Sequence, residues 1–225
     1  GININAAGLT QSVGDNGVLS ANFVSFDYGS WERTTVETPD GGIGTVSPST
    51  TIIGVGYAQK FTESIRGGVN IKLYNTTMVD MNVTSASVDA GVQYVTGERD
   101  QIKFGITLRN IGPAAEYEGE GQSVTLTVPQ GGYAQAFRER SESFELPATL
   151  AIGGSYDWEF ASQRLTVAAA FQSNSFEKDI YTLGAEYSFK EIVLLRAGYS
   201  FYDSRDYAEN TSVFTGFNMG ASVDV

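Results

Sequence analysis

The 225-residue sequence predicts an all-β fold, and within that class a transmembrane antiparallel β-barrel. Three observations carry this expectation. Apolar and polar residues alternate with period two in segment after segment, as in strands with one greasy and one wet face. Many segments run to about 11–15 residues, longer than the usual five or six of soluble sheets and suited to a tilted membrane crossing. The links between them alternate between short and longer, as periplasmic turns and extracellular loops do.

Taken in order, about eleven strands are expected, near 1–12, 18–34, 49–61, 65–77, 83–97, 101–109, 145–158, 163–174, 179–189, 193–201 and 212–225. Ile102, Phe104, Ile106 and Leu108 oppose Lys103, Gly105, Thr107 and Arg109. Tyr181, Leu183, Ala185, Tyr187 and Phe189 oppose Thr182, Gly184, Glu186 and Ser188. The second segment loses clean alternation after Phe23. Short links fall at 13–17, 62–64, 97–100, 159–162 and 190–191, and the others at 37–48, 78–82, 112–144, 175–178 and 203–211. Tyr57, Phe61, Tyr156, Trp158, Phe160, Tyr187 and Phe189 gather near the short links, where rings can lodge at a bilayer interface. Tyr199 and Phe201 mark the opposite end, with Phe26, Tyr28 and Trp31 as companions. A soluble sandwich is the competing fold; there a second layer, not lipid, would cover the apolar face.

Composition narrows the function. Histidine and cysteine are both absent, which removes cysteine nucleophiles, iron–sulfur clusters, histidine-based zinc sites and histidine acid–base catalysis. The 26 acidic and 14 basic residues give a formal charge of −12, the wrong sign for a general nucleic-acid binder. With 26 Gly, 5 Pro, 13 Phe, 12 Tyr and 2 Trp, the chain suits strands and tight turns and not disorder. No run approaches the roughly 18 apolar residues of a spanning helix. Asp89, Asp157 and Glu186 are candidate acid–base carboxylates, but their phase fits charges in a wet interior. The Gly41–Gly44 and Gly131–Gly132 runs lack the Lys-Ser/Thr of a phosphate cradle. A non-enzyme without metal or cofactor is expected.

Two sets of candidate residues remain. Lys72, Lys103, Arg109, Arg164, Glu186 and Arg196 share the polar phase and are expected to face one lumen. There the cations either pair with Glu186 and Asp157 or hold an internal segment or an anionic group. The 112–144 link, expected to be a long extracellular loop, mixes acids with Glu116, Tyr117, Val124, Leu126, Tyr133 and Phe137 as candidate contacts. Its Val124–Val128 alternation suggests a short strand or hairpin, serving either a partner or as a cover for the barrel mouth.

Several ordered blocks carry a family resemblance. They are Phe26-Asp27-Tyr28-Gly29, Glu32-Arg33-Thr34-Thr35, Thr38-Pro39-Asp40-Gly41, Gly54-Val55-Gly56-Tyr57-Ala58-Gln59-Lys60 and Gly67-Gly68-Val69-Asn70-Ile71-Lys72. Asp89-Ala90-Gly91-Val92-Gln93-Tyr94, Phe104-Gly105-Ile106-Thr107-Leu108-Arg109-Asn110-Ile111-Gly112 and Leu146-Pro147-Ala148-Thr149-Leu150 complete the set. In order and spacing, over roughly residues 17–200, the chain resembles the PorV/PorQ-like branch of the FadL outer-membrane superfamily. The resemblance implies a barrel of about fourteen strands with an N-terminal hatch inside, in the outer membrane of a Gram-negative bacterium. It further implies a part in type IX secretion in Bacteroidota, contacting the translocon barrel and the C-terminal domains of exported cargo. The alternative is a FadL-like channel for hydrophobic small molecules, although Gly, Ser, Lys and Arg on the polar phase weigh against a greasy pocket. An even strand number is the rule for such barrels, and the chain ends in Ser222-Val223-Asp224-Val225 without a terminal aromatic. Residues 1–225 are therefore expected to form one barrel domain lacking its hatch and one or more terminal strands.

Overall fold

The computed structural model describes residues 1–35, 38–119, 121, 123–127, 131, 134–138, 141–202 and 216–223. They contain no helix long and apolar enough to cross a membrane. The elements are β1 (Asn3–Val13), β2 (Gly17–Asp27), β3 (Trp31–Glu32), β4 (Thr45–Val46), β5 (Ser49–Lys60), β6 (Ile65–Met78), β7 (Met81–Thr96) and β8 (Ile102–Ile111). Then come β9 (Glu118–Gly119), β10 (Ser123–Thr127), β11 (Ala134–Arg138), β12 (Thr149–Phe160), β13 (Gln163–Asn174), β14 (Ile180–Phe189), β15 (Val193–Tyr202) and β16 (Gly216–Val223). One large sheet runs β1-β2-β5-β6-β7-β8-β12-β13-β14-β15-β16, antiparallel throughout, with β9 added to β7. β10–β11 and β3–β4 are separate two-stranded pairs.

Several expected bounds move, each for a local reason. The second strand stops at Asp27 and not near 34, because Asp27 Oδ1 takes the N–H of Gly29 (2.9 Å) and Gly29 turns to φ 85°. Phe26, expected among the outward rings, stands in register with Ile4 and Thr50 on the opposite face. The 78–82 link is a two-residue turn, Val79-Asp80, closing the pair Met78↔Met81, so the links at that end are not uniformly long. The strand expected at 145–158 spans Thr149–Phe160, following Pro147, which has no N–H for a ladder.

Register separates the two faces cleanly. The row through Ala7 passes Phe23 and Ile53 and crosses β6 at Leu73. The row through Phe217 passes Tyr199, Leu183, Ala169, Gly154, Phe104 and Tyr94 and crosses β6 at Ile65, eight residues lower. Ala7 and Phe217 each mark the upper edge of the apolar band on their strands. The band thus slides about eight residues over ten strand-to-strand steps, which at ~3.3 Å per residue and ~4.8 Å per strand is a tilt of about 30°. Along β6 the band runs from Ile65 to Leu73, a height of about 23 Å at that tilt, against the ~25 Å of a membrane barrel.

No second layer covers this band among the described residues. Val55, Ile71 and Leu183 are 56, 56 and 54% exposed. Among the described residues the buried apolar side chains are few, Val83, Val95 and Ala115 with Pro48. At about 1 kcal/mol for each half-exposed side chain, roughly thirty such positions in water would forfeit about 30 kcal/mol, far more than the ~5–15 kcal/mol of a folded domain. Hydrocarbon against the band removes that cost. The sheet has the build of a barrel wall of the outer-membrane type.

Arginine at Leu183, in the middle of the band, is expected to cost about 2–4 kcal/mol in urea-titrated folding into liposomes. Alanine at Gly184, on the opposite face with its nearest neighbour at 3.8 Å, is expected to be nearly neutral. Equal costs would mean that Leu183 does not meet lipid.

Candidate functional site

The face opposite the lipid band is concave. Lys72 of β6 reaches over β7 to donate to Asn110 Oδ1 on β8 (2.5 Å). Grooves on this face each draw their lining from five consecutive strands, as a curved wall allows. Register divides the face into three tiers.

Near the long-link end, β1, β2, β5 and β7 turn Ile4, Val24, Phe26, Ile52 and Val83 inward. This is why the pattern changes after Phe23: the alternation inverts, with Val24 and Phe26 turned inward and Ser25 and Asp27 outward. Below lies a waist of small residues, with Ala58, Gly68, Gly91, Thr107 and Ala151 in one row and Gly105, Gly153, Ala170 and Thr182 in the next. Gly105 has room for a side chain, a Cβ meeting nothing nearer than 4.0 Å.

The third tier, towards the short turns, is a belt of ion pairs. Lys103 Nζ lies 2.7 Å from Asp157 Oδ2, and Thr166 donates to the other oxygen of that carboxylate (2.7 Å). Arg164 and Arg196 share Glu186 at 3.3 and 2.5 Å, and Arg196 also donates to Ser222 Oγ (3.1 Å). The two groups link β8, β12 and β13, then β13 through β16. Paired registers explain the spacing, since Thr166, Glu186 and Arg196 stand opposite one another on successive strands. Charge is retained here because each ion has a neutralising neighbour at hydrogen-bond distance. At the foot of β5, Lys60 donates to Glu63 (2.5 Å), and that hydrogen bond and charge hold the exposed Glu63 carboxyl below its ordinary value.

Higher on the wall, Lys72 pairs with Asp89 at 2.8 Å. The Arg109 side chain, by contrast, makes no hydrogen bond or ion pair among the described residues and is exposed on the concave face. It stands at the edge of an apolar groove of about 410 Å³ that also contains Ser20, Gly56, Asn70, Asp89 and Gly91. This groove continues into one of about 530 Å³ lined by Val18, Ala58, Gly68 and Gly105, with Lys60 and Arg66 at its lower end. The groove differs from the expectation that Gly, Ser, Lys and Arg on the polar phase leave no greasy pocket. Glycine and alanine bring no polar side chain, so a wall that scores as neutral in sequence presents backbone and methyl surface to a ligand.

The residues expected in the 112–144 link are placed unevenly. Tyr117 stacks on Phe144 at 5.5 Å, beside the antiparallel bridge Ala115↔Phe144. Glu116 precedes β9, which pairs with Met81 and Asn82. Val124 and Leu126 lie on β10, opposite Phe137 and Gln135 of β11. Tyr133 lies outside the described residues. The bulge that Asn110 makes in the β7–β8 ladder carries no signal in the sequence.

No family model and no curated protein matches the chain. A similar solved structure is described as the TodX deltaS2S3 mutant monoaromatic hydrocarbon channel. It aligns with 98% of this chain and 73% of its own, at 12% identity and a TM-score of 0.46.

Replacing Glu186 with Gln removes the ion-pair partner that Arg164 and Arg196 share, leaving Arg164 only the more distant charge of Asp157. The expected cost is about 1–2 kcal/mol in detergent unfolding, shrinking as salt is added. Replacing Arg196, the more exposed partner, should cost less.

Proposed function

We propose that this chain forms the wall of an outer-membrane channel of a Gram-negative bacterium, carrying small hydrophobic molecules between the outside and the periplasm. The observation that carries the reading is the continuous apolar groove on the concave face, bounded by Arg109 above and by Lys60 and Arg66 below. Volumes of 410 and 530 Å³ suit small organic ligands, and an apolar lining with a few convergent polar groups is how such sites are built. No step of chemistry is required of the protein. Its part is to offer a greasy surface sheltered from water, with the polar belt below limiting how firmly an apolar molecule is held.

The secretion role implied by the family resemblance is a second reading and uses a different surface. The β10–β11 hairpin and the acids Glu116, Glu118 and Glu142 around it are the feature that bears on it. Removing residues 120–141 while keeping the barrel should abolish cargo attachment if that reading holds, and leave small-molecule binding unchanged.

The channel reading is tested with the purified barrel and a naphthylamine fluorophore as hydrophobic probe. Saturable binding is expected, and Gly105→Leu, which fills the groove where a side chain fits, should weaken it about ten-fold or more. An unchanged heat-dependent gel shift would show the barrel intact. Identical affinity in the variant would rule out the groove as the site.

A further inference from the structure

We infer that Lys72, Asp89 and Asn110 form a latch that pins the neck of the long excursion between β8 and β12 to the inside of the wall. The ladder between β7 and β8 slips between Val88 and Ala90, where Arg109 and Asn110 oppose the single residue Asp89. Asn110 takes φ 60° there, a left-handed conformation that asparagine tolerates better than most residues. Turned this way, one residue bonds in four directions. Its N–H donates to Asp89 Oδ1 (2.8 Å), its Oδ1 accepts from Lys72 Nζ (2.5 Å) and Tyr74 OH (3.2 Å), and its Nδ2 donates to Pro147 O (2.9 Å).

The last bond matters most. Asn110 is the next-to-last residue of β8 and Pro147 lies just before β12, 37 positions on, so it joins the two ends of the excursion. The bridge Ala115↔Phe144, with both N–H groups donating (2.8 and 2.9 Å), and the Tyr117–Phe144 stack continue the neck outward. Lys72–Asp89 is the least exposed ion pair among the described residues at both partners together, at 16 and 21% of side-chain surface. Charges held that far from water favour one geometry. Asp89 also lines the groove, so the same carboxylate touches the candidate ligand space and the foot of the neck. The inference concerns where the excursion is held and stands whether or not the groove takes a ligand.

Amide hydrogen exchange on the full chain in detergent tests it, reading Ala115 and Phe144 in the neck against β13–β14 as an internal reference. Asn110→Gly keeps the left-handed backbone accessible and deletes three of the bonds. Exchange at Ala115 and Phe144 should accelerate about ten-fold or more while β13–β14 is unchanged. Lys72→Met, which leaves the backbone untouched, should accelerate the same two amides in the same direction. Unchanged exchange at Ala115 and Phe144 in a variant whose β13–β14 protection is intact would overturn the latch. So would equal acceleration everywhere in Lys72→Met, because that marks a general loss of stability and no local hold.

Discussion

Everything in this wall follows from the cost of leaving a peptide group without a hydrogen-bond partner in hydrocarbon. A strand meets that demand only by bonding its neighbours along its length, so the chain lays down long antiparallel strands side by side. With the backbone committed, the side chains retain one freedom, the alternation between faces. Lipid selects one set and the interior selects the other. The tilt of about 30° is visible as the slow slide of the apolar band across the hydrogen-bonded rows, from Ala7 at one edge to Phe217 at the other.

The concave face is graded and not uniform. Bulky apolar residues occupy the long-link end of β1, β2, β5 and β7, small residues the waist, and ion pairs the short-turn end of β8 and β12 to β15. The small waist leaves room for an occupant; the charged belt does not, because its side chains are spent on one another. Lys103, Arg164 and Arg196 are structural in this sense, each neutralised by Asp157 or Glu186. Arg109 differs by standing beside the groove without an ion-pair partner among the described residues, and Lys72 differs by serving the bulge.

How much of this was legible in the sequence depends on whether the cause is local. Alternation in Ile102–Leu108 or Tyr181–Phe189 is local, and lipid enforces it position by position, so the strands could be read directly. Phe26 could not be oriented, since the alternation of β2 inverts after Phe23, leaving Val24 and Phe26 inside and Ser25 and Asp27 outside. The Val79-Asp80 turn carries no glycine or proline to announce it, yet Val79 sits at φ 53°. Partnership among charges depends on register: Glu186 meets Arg164 and Arg196 only because three strands align, and nothing in their spacing states that alignment. The role of Asn110 was hidden for the same reason, because a bulge is a relation between two strands. The groove was hidden because residue scales count glycine as neither polar nor apolar.

The neck at Asn110 also bears on how the wall is assembled. Most neighbouring strands are joined by a few residues, so their pairing closes a small loop and loses little chain entropy. β8 and β12 must instead meet across the 37 positions separating Asn110 from Pro147. By the logarithmic scaling of loop closure, that junction costs about 2 kcal/mol more than a four-residue turn. A few hydrogen bonds at the base of the excursion are of the right size to offset such a penalty. The pairing of β8 with β12 is therefore the costliest in the meander to close, ahead of β2 with β5 across residues 28–48, and the latch sits where that entropy is lost.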